Sequence, residues 1–350
     1  MRSARTAATA ALLLVLAGCS AGHVGTPSGS GTRPGTDASA VARMAAQPAP
    51  SDPASAAASP AGTCPIFPAD NVWHADVSRL PVLANSATLV ASIGASAAVH
   101  ADFGSGSWDG GPIGIPVTTV PAGQAAVPVS FQYRSESDPG PYPVPANAAV
   151  EGGPSSDGDR HVIVFDPAHC RDYELFAARP AGGGWQAGSG AVFDLRGDAL
   201  RPAGWTSADA AGLPILAGLV RYDEVAAGRV DHAIRVTVPH SRNSYVWPAR
   251  HAASSSADPA LPPMGLRLRL KASVNLAGLP VQARIVAQAM QRYGVIVADN
   301  GSPWYISGEP DQRWSNDALH ALGGLHGSDF EALDTAGLMA DQSSARVAGW

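Results

Sequence analysis

Six carboxylates stand beside aromatic or glycine-rich segments in a way that suits acid–base chemistry: Asp223, Glu224, Asp209, Asp159, Glu151 and Asp299. Glycoside hydrolysis needs two such groups. One protonates the leaving oxygen, and the other acts as base or nucleophile on the opposite side. The stretch 204–224, GWTSADAAGLPILAGLVRYDE, runs from a polar loop through an apolar segment to Tyr222, Asp223 and Glu224. Its apolar part predicts a strand over 216–222 whose end would present an acid to a cleft. Adjacent strand residues point to opposite faces, so at most one of Asp223 and Glu224 would face that cleft. The partner acid would come from Asp209, Glu151, Asp159 or Asp299. The plainer alternative makes Asp223 and Glu224 turn residues that cap the strand.

Candidate sugar contacts come from three segments. Residues 245–251, YVWPARH, bring Tyr245, Trp247, Arg250 and His251 together. Sugar C–H faces stack on aromatic rings, and guanidinium and imidazole bond hydroxyls. Residues 299–305, DNGSPWY, add Trp304 and Tyr305 beside an acid. His161 closes the run GDRH, downstream of Glu151-Gly152-Gly153, where glycine lets backbone approach a ligand closely. A local ion-pair network is the plainer reading of Asp159, Arg160 and His161. Asp157 and Asp159 lack the rest of a calcium loop. Seven of the eight tryptophans lie in polar or Gly/Pro-rich surroundings, which favours loop-borne ligand contacts over an aromatic core.

The motifs HExxH, P-loop and SxxK do not occur, and the GxSxG match at Gly18–Gly22 overlaps the signal-peptide end at Cys19. No metal site or cofactor is therefore expected from sequence. The formal charge is −6, and scattered basic residues form no stripe, which argues against nucleic acid as a partner.

Residues 1–19 carry an address. Arg2 and Arg5 precede an apolar run, then Leu16-Ala17-Gly18-Cys19. The pattern predicts a lipoprotein signal peptide over 1–18 and a lipid on the Cys19 thiol. The protein would then sit outside the cytoplasm in the cell envelope, touching the membrane only through its anchor. Loss of both arginines takes the charge to −8. Residues 19–62 are mostly Ala, Ser, Gly, Pro and Thr and read as a flexible tether. A single β-rich globular domain is expected over 63–350. Cys64 and Cys170 remain as an even pair in an oxidising compartment, and a disulfide between them is the default.

Strand-like runs separated by Gly, Pro, Asn and Asp dominate this domain. Residues 161–166 and 173–178 read as a hairpin around a loop holding Cys170. Further strands are expected over 191–196 and 232–238. Residues 265–271 alternate Leu266, Leu268 and Leu270 with Arg267, Arg269 and Lys271, a strand with one buried and one wet face. Residues 295–299 and 304–307 read as a second hairpin around Asn300-Gly301. Helices are expected over 280–293, 86–93, 316–322 and 328–333. The pattern predicts a mainly β fold with a few helices, built on a β-sandwich or jelly-roll-like core, with a two-lobed α+β protein as the alternative.

The stretches GDRHVIVFD, YELFAA, GWTSADAAGLPILAGLVRYDE, YVWPARH and ADNGSPWYISGEPDQRW together resemble a family of secreted bacterial proteins of envelope or polysaccharide-associated type. The resemblance covers most of 64–335. It implies an extracytoplasmic setting and brings no catalytic residue with it. The sequence therefore leads to two expectations. One is an envelope lipoprotein that cleaves polysaccharide with two carboxylates. The other is a non-catalytic lipoprotein that binds glycan or cell wall.

Overall fold

The computed structural model describes residues 64–349. The signal peptide, the lipidated Cys19 and the tether expected before them lie outside the described residues. The fold is mainly β with four α-helices among the described residues. The largest sheet has six strands in the order β1 (His100–Asp102), β14 (Tyr305–Ser307), β11 (Ile234–Val238), β13 (Val295–Asn300), β12 (Arg267–Leu270) and β15 (Phe330–Ala332). β1 runs parallel to β14 and β11 parallel to β13, and the other neighbours are antiparallel. A second sheet orders β10 (Ser189–Asp194), β7 (Arg171–Phe176), β6 (Val162–Asp166) and β4 (Val117–Thr119). Two small sheets complete the set. One joins β5 (Val129–Phe131), β9 (Gly184–Ala187) and β8 (Arg179–Ala181). The other is the hairpin of β2 (Ser107–Trp108) and β3 (Gly111–Pro112).

The apolar run of β6 has covered faces on both sides. Ile163 enters the larger core, whereas Val162 and Val164 enter a smaller one with Tyr142, Leu175 and Trp185. Double coverage explains why this strand is apolar throughout rather than alternating. β6 and β7 form the expected antiparallel hairpin. Cys170 in their loop is disulfide-bonded to Cys64, with Cα atoms 5.2 Å apart. α3 (Val281–Arg292) starts after Pro280, where a missing N–H is harmless, and buries Ala283, Ile285, Val286, Ala289 and Met290. Gly294 follows at φ 71°. α1 (Ser86–Ile93) and α4 (Asn316–His320) also fall where the sequence predicts helix.

Four local expectations are corrected. Residues 216–222 do not form a strand. A 3₁₀ turn at Leu216–Gly218 leads into α2 (Tyr222–Ala226). Glu224 Oε2 accepts the N–H of Arg221 at 3.2 Å, and acids in a first helical turn suit the helix dipole. Residues 295–299 and 304–307 are not a hairpin, because β11 lies between β13 and β14. Residues 328–333 form a 3₁₀ turn and then β15. Finally, β12 has no wet face, and Arg267 and Arg269 are both buried. Segment 72–80 covers them. Arg267 donates to the carbonyls of Val72, Ala75 and Tyr293, and Arg269 to the carbonyl of Val77 and to Glu331. No helix among the described residues is long and apolar enough to cross a membrane.

Candidate active site

Arg235 organises a polar face on the six-stranded sheet. The register sets Asp102 of β1 beside Ser307 of β14. Val236 pairs with Ile306 in the antiparallel β11–β14 contact, which brings Ser307 opposite Arg235. Asp102, Ser307 and Arg235 thus form a row across three strands. Arg235 Nη1 donates to Ser307 Oγ at 2.9 Å. On its other side Arg235 forks onto Asp209, with Nε to Oδ2 at 3.0 Å and Nη2 to Oδ1 at 2.9 Å. Nη2 also reaches Asp299 Oδ2 at 3.1 Å.

A β-bulge directs Asp299 there. Val236 pairs with Val297, but Thr237 pairs with Asp299. The extra residue puts Asp299, in place of Ala298, on the face that Arg235 shares with Thr237. Bulges next to functional groups commonly re-aim a side chain in this way.

Two loops close over this face. His161 is fully buried just before β6. Its Nδ1 lies 2.6 Å from Glu151 Oε2 and its Nε2 3.1 Å from the carbonyl oxygen of Ala208. Two acceptors on one ring favour the doubly protonated imidazolium. Burial pulls the His161 pKa down, but the Glu151 carboxylate outweighs it and raises it to about 9. Burial pushes Glu151 up, but His161 and Arg235 hold it below the usual carboxylate range. Glu151 stays 26 % exposed, and Oε1 makes no hydrogen bond to a described residue.

The remaining acids move the other way. Burial raises Asp209 against the pull of Arg235. Burial and the neighbouring Asp209 charge push Asp299 up to about 7. Arg235 and His161 supply two positive charges for three carboxylates, so the third tends to keep its proton. Asp299 is pinned, however. Oδ2 accepts from Arg235 and Oδ1 from the N–H of Asn300 at 2.7 Å. Asp102 is not pinned. It reaches solvent, yet it is crowded enough that desolvation raises its pKa. The charge of Glu151 adds to the rise, while His100 and Arg235 oppose it.

A glycine-rich hairpin stands beside these two acids. Asp109 and Gly110 both have positive φ, 49° and 88°, as a two-residue type I′ turn requires. Gly111 packs on the backbone of the next turn, and a Cβ there would come 2.1 Å from the Gly152 carbonyl carbon. The hairpin therefore rests against Glu151-Gly152-Gly153 and holds out Trp108, which is 80 % exposed. His100 and Tyr305 stack 4.2 Å apart along the same row of strands.

The structure thus brings together Glu151, Asp209, Asp299 and His161, with Asp159 exposed at the edge of their field and Tyr305 nearby. It sends the other candidates elsewhere. Asp223 is on the surface, paired with Arg313 at 2.8 Å. Glu224 is saturated by Arg221 and His232 and is pulled down to about 2, because the pull of those two partners outweighs burial. Burial and the charge of Glu224 push its neighbour Glu309 up to about 7. His251 donates from Nδ1 to the Ala210 carbonyl, 2.8 Å away. Tyr245, Trp247 and Arg250 line a separate cavity.

The tryptophan expectation is corrected. Trp73, Trp185, Trp304 and Trp314 are buried in the cores, and Trp304 Nε1 donates to the Gly94 carbonyl at 2.8 Å. Sequence reading missed Asp102, Arg235 and Trp108 as site residues. An arginine inside the apolar run HAIRVTV and the Asp-Gly turn after Trp108 were the available signals. Among the described residues no three carboxylate, imidazole or thiol groups are placed to hold a metal ion. No family model matches the chain, and neither a curated protein nor a solved structure matches it significantly.

Proposed function

We propose that this protein is a glycan-cleaving hydrolase that uses Asp102 and Glu151. One observation carries the reading. Two water-reaching carboxyls lie close enough to feel each other's charge and have their pKa values displaced in opposite directions. Displacement of this kind separates an acid from a base. Asp102, raised and without a side-chain hydrogen bond to any described residue, donates a proton to the glycosidic oxygen. Glu151, ionised and held by His161, offers Oε1 as base or nucleophile. The proton passes from the Asp102 carboxyl to the leaving oxygen as the C–O bond breaks, and water supplies the group that ends on the sugar. Asp209, Asp299, Arg235 and Ser307 fix the field without touching substrate. Trp108 and the His100–Tyr305 stack offer apolar faces for sugar rings. The signal pattern ending at Cys19 supports an envelope setting, where polysaccharide or cell-wall glycan is the partner.

The test is release of new reducing ends from a panel of polysaccharides by the full chain. Asp102→Asn and Glu151→Gln should each abolish release while remaining folded. Glycan binding with no release from any polysaccharide would instead support a non-catalytic binding protein.

A further inference from the structure

Buried side-chain polar atoms without a hydrogen-bond partner fall in two places among the described residues. One is the Asp172–Glu174 carboxyl pair. The other comprises Ser241 Oγ, Arg242 Nε and Ser244 Oγ, with Asn300 Oδ1 nearby. Native structures leave few such atoms, and each asks for an explanation. The first group has one within the fold. The two acids sit on one face of β7, burial raises both, and a proton held between them satisfies the pair.

The second group has none. Ser241 and Asn300 line a smaller, separate pocket, and Arg242 alone of the group lines a cavity of about 790 Å³. That volume is in the range of small-molecule sites, roughly 300–1,000 Å³. Tyr245, Trp247, Leu266 and Met339 supply apolar walls, and Arg242 and Arg250 supply charge. Two of the other polar side chains there are already engaged. Trp247 Nε1 donates to the Ser344 carbonyl at 2.8 Å, and Arg250 donates to the carbonyls of Arg201 and Gln342, both at 2.7 Å. Arg267, also on the lining, is satisfied by carbonyls. The carboxylate on the lining, Asp334, is exposed and accepts the N–H of Ala336. Arg242 alone keeps a guanidinium with no hydrogen bond or ion pair to any described residue. Arg242 is half-buried, and its buried Nε lacks an acceptor that a bound anion would supply.

We propose that this cavity binds a small organic anion, a carboxylate carried on an aromatic or aliphatic body. The carboxylate lies on Arg242 and the body lies along Tyr245 and Trp247. The site is separate from the Asp102–Glu151 pair and does not depend on the hydrolase reading.

The experiment is calorimetric titration of the full chain with 2-naphthoate and with its neutral isostere 2-naphthamide. Naphthoate should bind at least tenfold more tightly. Arg242→Gln should bring the two affinities together, Arg242→Lys should keep part of the preference, and Glu151→Gln should leave it intact. Circular dichroism checks that each variant is folded. Equal affinities in the native chain, no binding of either probe, or a preference that survives Arg242→Gln would overturn the assignment.

Discussion

Raising the pH from 7.5 to 9.5 should weaken folding by removing the proton from His161. The His161 pKa is raised from its ordinary value of 6.5 to about 9 in the folded protein. The folded state therefore binds this proton more tightly than the unfolded chain. The stabilisation is fully present below pH 6.5 and is lost as pH rises through about 9. Its full size is about 3 kcal/mol, at about 1.4 kcal/mol per pH unit of displacement. About 2 kcal/mol of that should disappear between pH 7.5 and 9.5. Other buried groups titrate near this window, Asp299, Glu309 and Glu174 near 7 and Arg267 near 9, so the contrast with a variant that spares them isolates His161. Urea unfolding at several pH values measures the loss directly. Glu151→Gln removes the charge that raises His161, so its stability should change far less across the same window. A native curve as flat as that of the variant would refute the assignment of a charged His161–Glu151 pair.

Four further outcomes are expected. Hydrolysis should follow a bell-shaped pH profile, rising as Glu151 ionises and falling as Asp102 loses its raised proton, and steady-state rates across pH 3–9 test this. Trp108→Ala should weaken glycan binding about tenfold, by analogy with the lower end of the roughly 1–3 kcal/mol that aromatic stacking is worth for a nucleobase, with an unchanged melting temperature because the ring is exposed. Gly111→Ala should push the hairpin off Gly152 and destabilise the fold by about 1–3 kcal/mol, read in thermal unfolding together with weaker glycan binding. Cys170→Ala opens a loop of 106 residues and should cost about 4–5 kcal/mol in the loop-entropy treatment, with reduction by thiol giving a similar loss.

Local features were legible in the sequence and long-range coverage was not. The β6–β7 hairpin and α1 depend on neighbours in the chain, and both stand where the residues place them. β12 alternates as read, but the segment that shields Arg267 begins at Val72, 195 residues away. Trp304 sits in a Gly/Pro-rich stretch yet folds inward to stack on Phe330, 4.7 Å away. Asp299 was recognisable as an acid, whereas its aim depends on a bulge that only strand pairing defines. Asp102 drew no notice because its importance comes from lying beside Ser307, a parallel pairing across some two hundred residues.

The division into two cores sets how the site would fail. Every buried residue of the smaller core comes from 120–187, a stretch that also holds Glu151 and His161 and whose buried apolar side chains reach the larger core through Ile163 and Cys170 alone. Asp102, Arg235 and Asp299 belong to the sheet over the larger core. Partial opening of the smaller core would carry the base away while the rest of the chain kept its shape. The protein would then go silent on mild heating well before its bulk melted, and amide exchange would fade first across that one stretch.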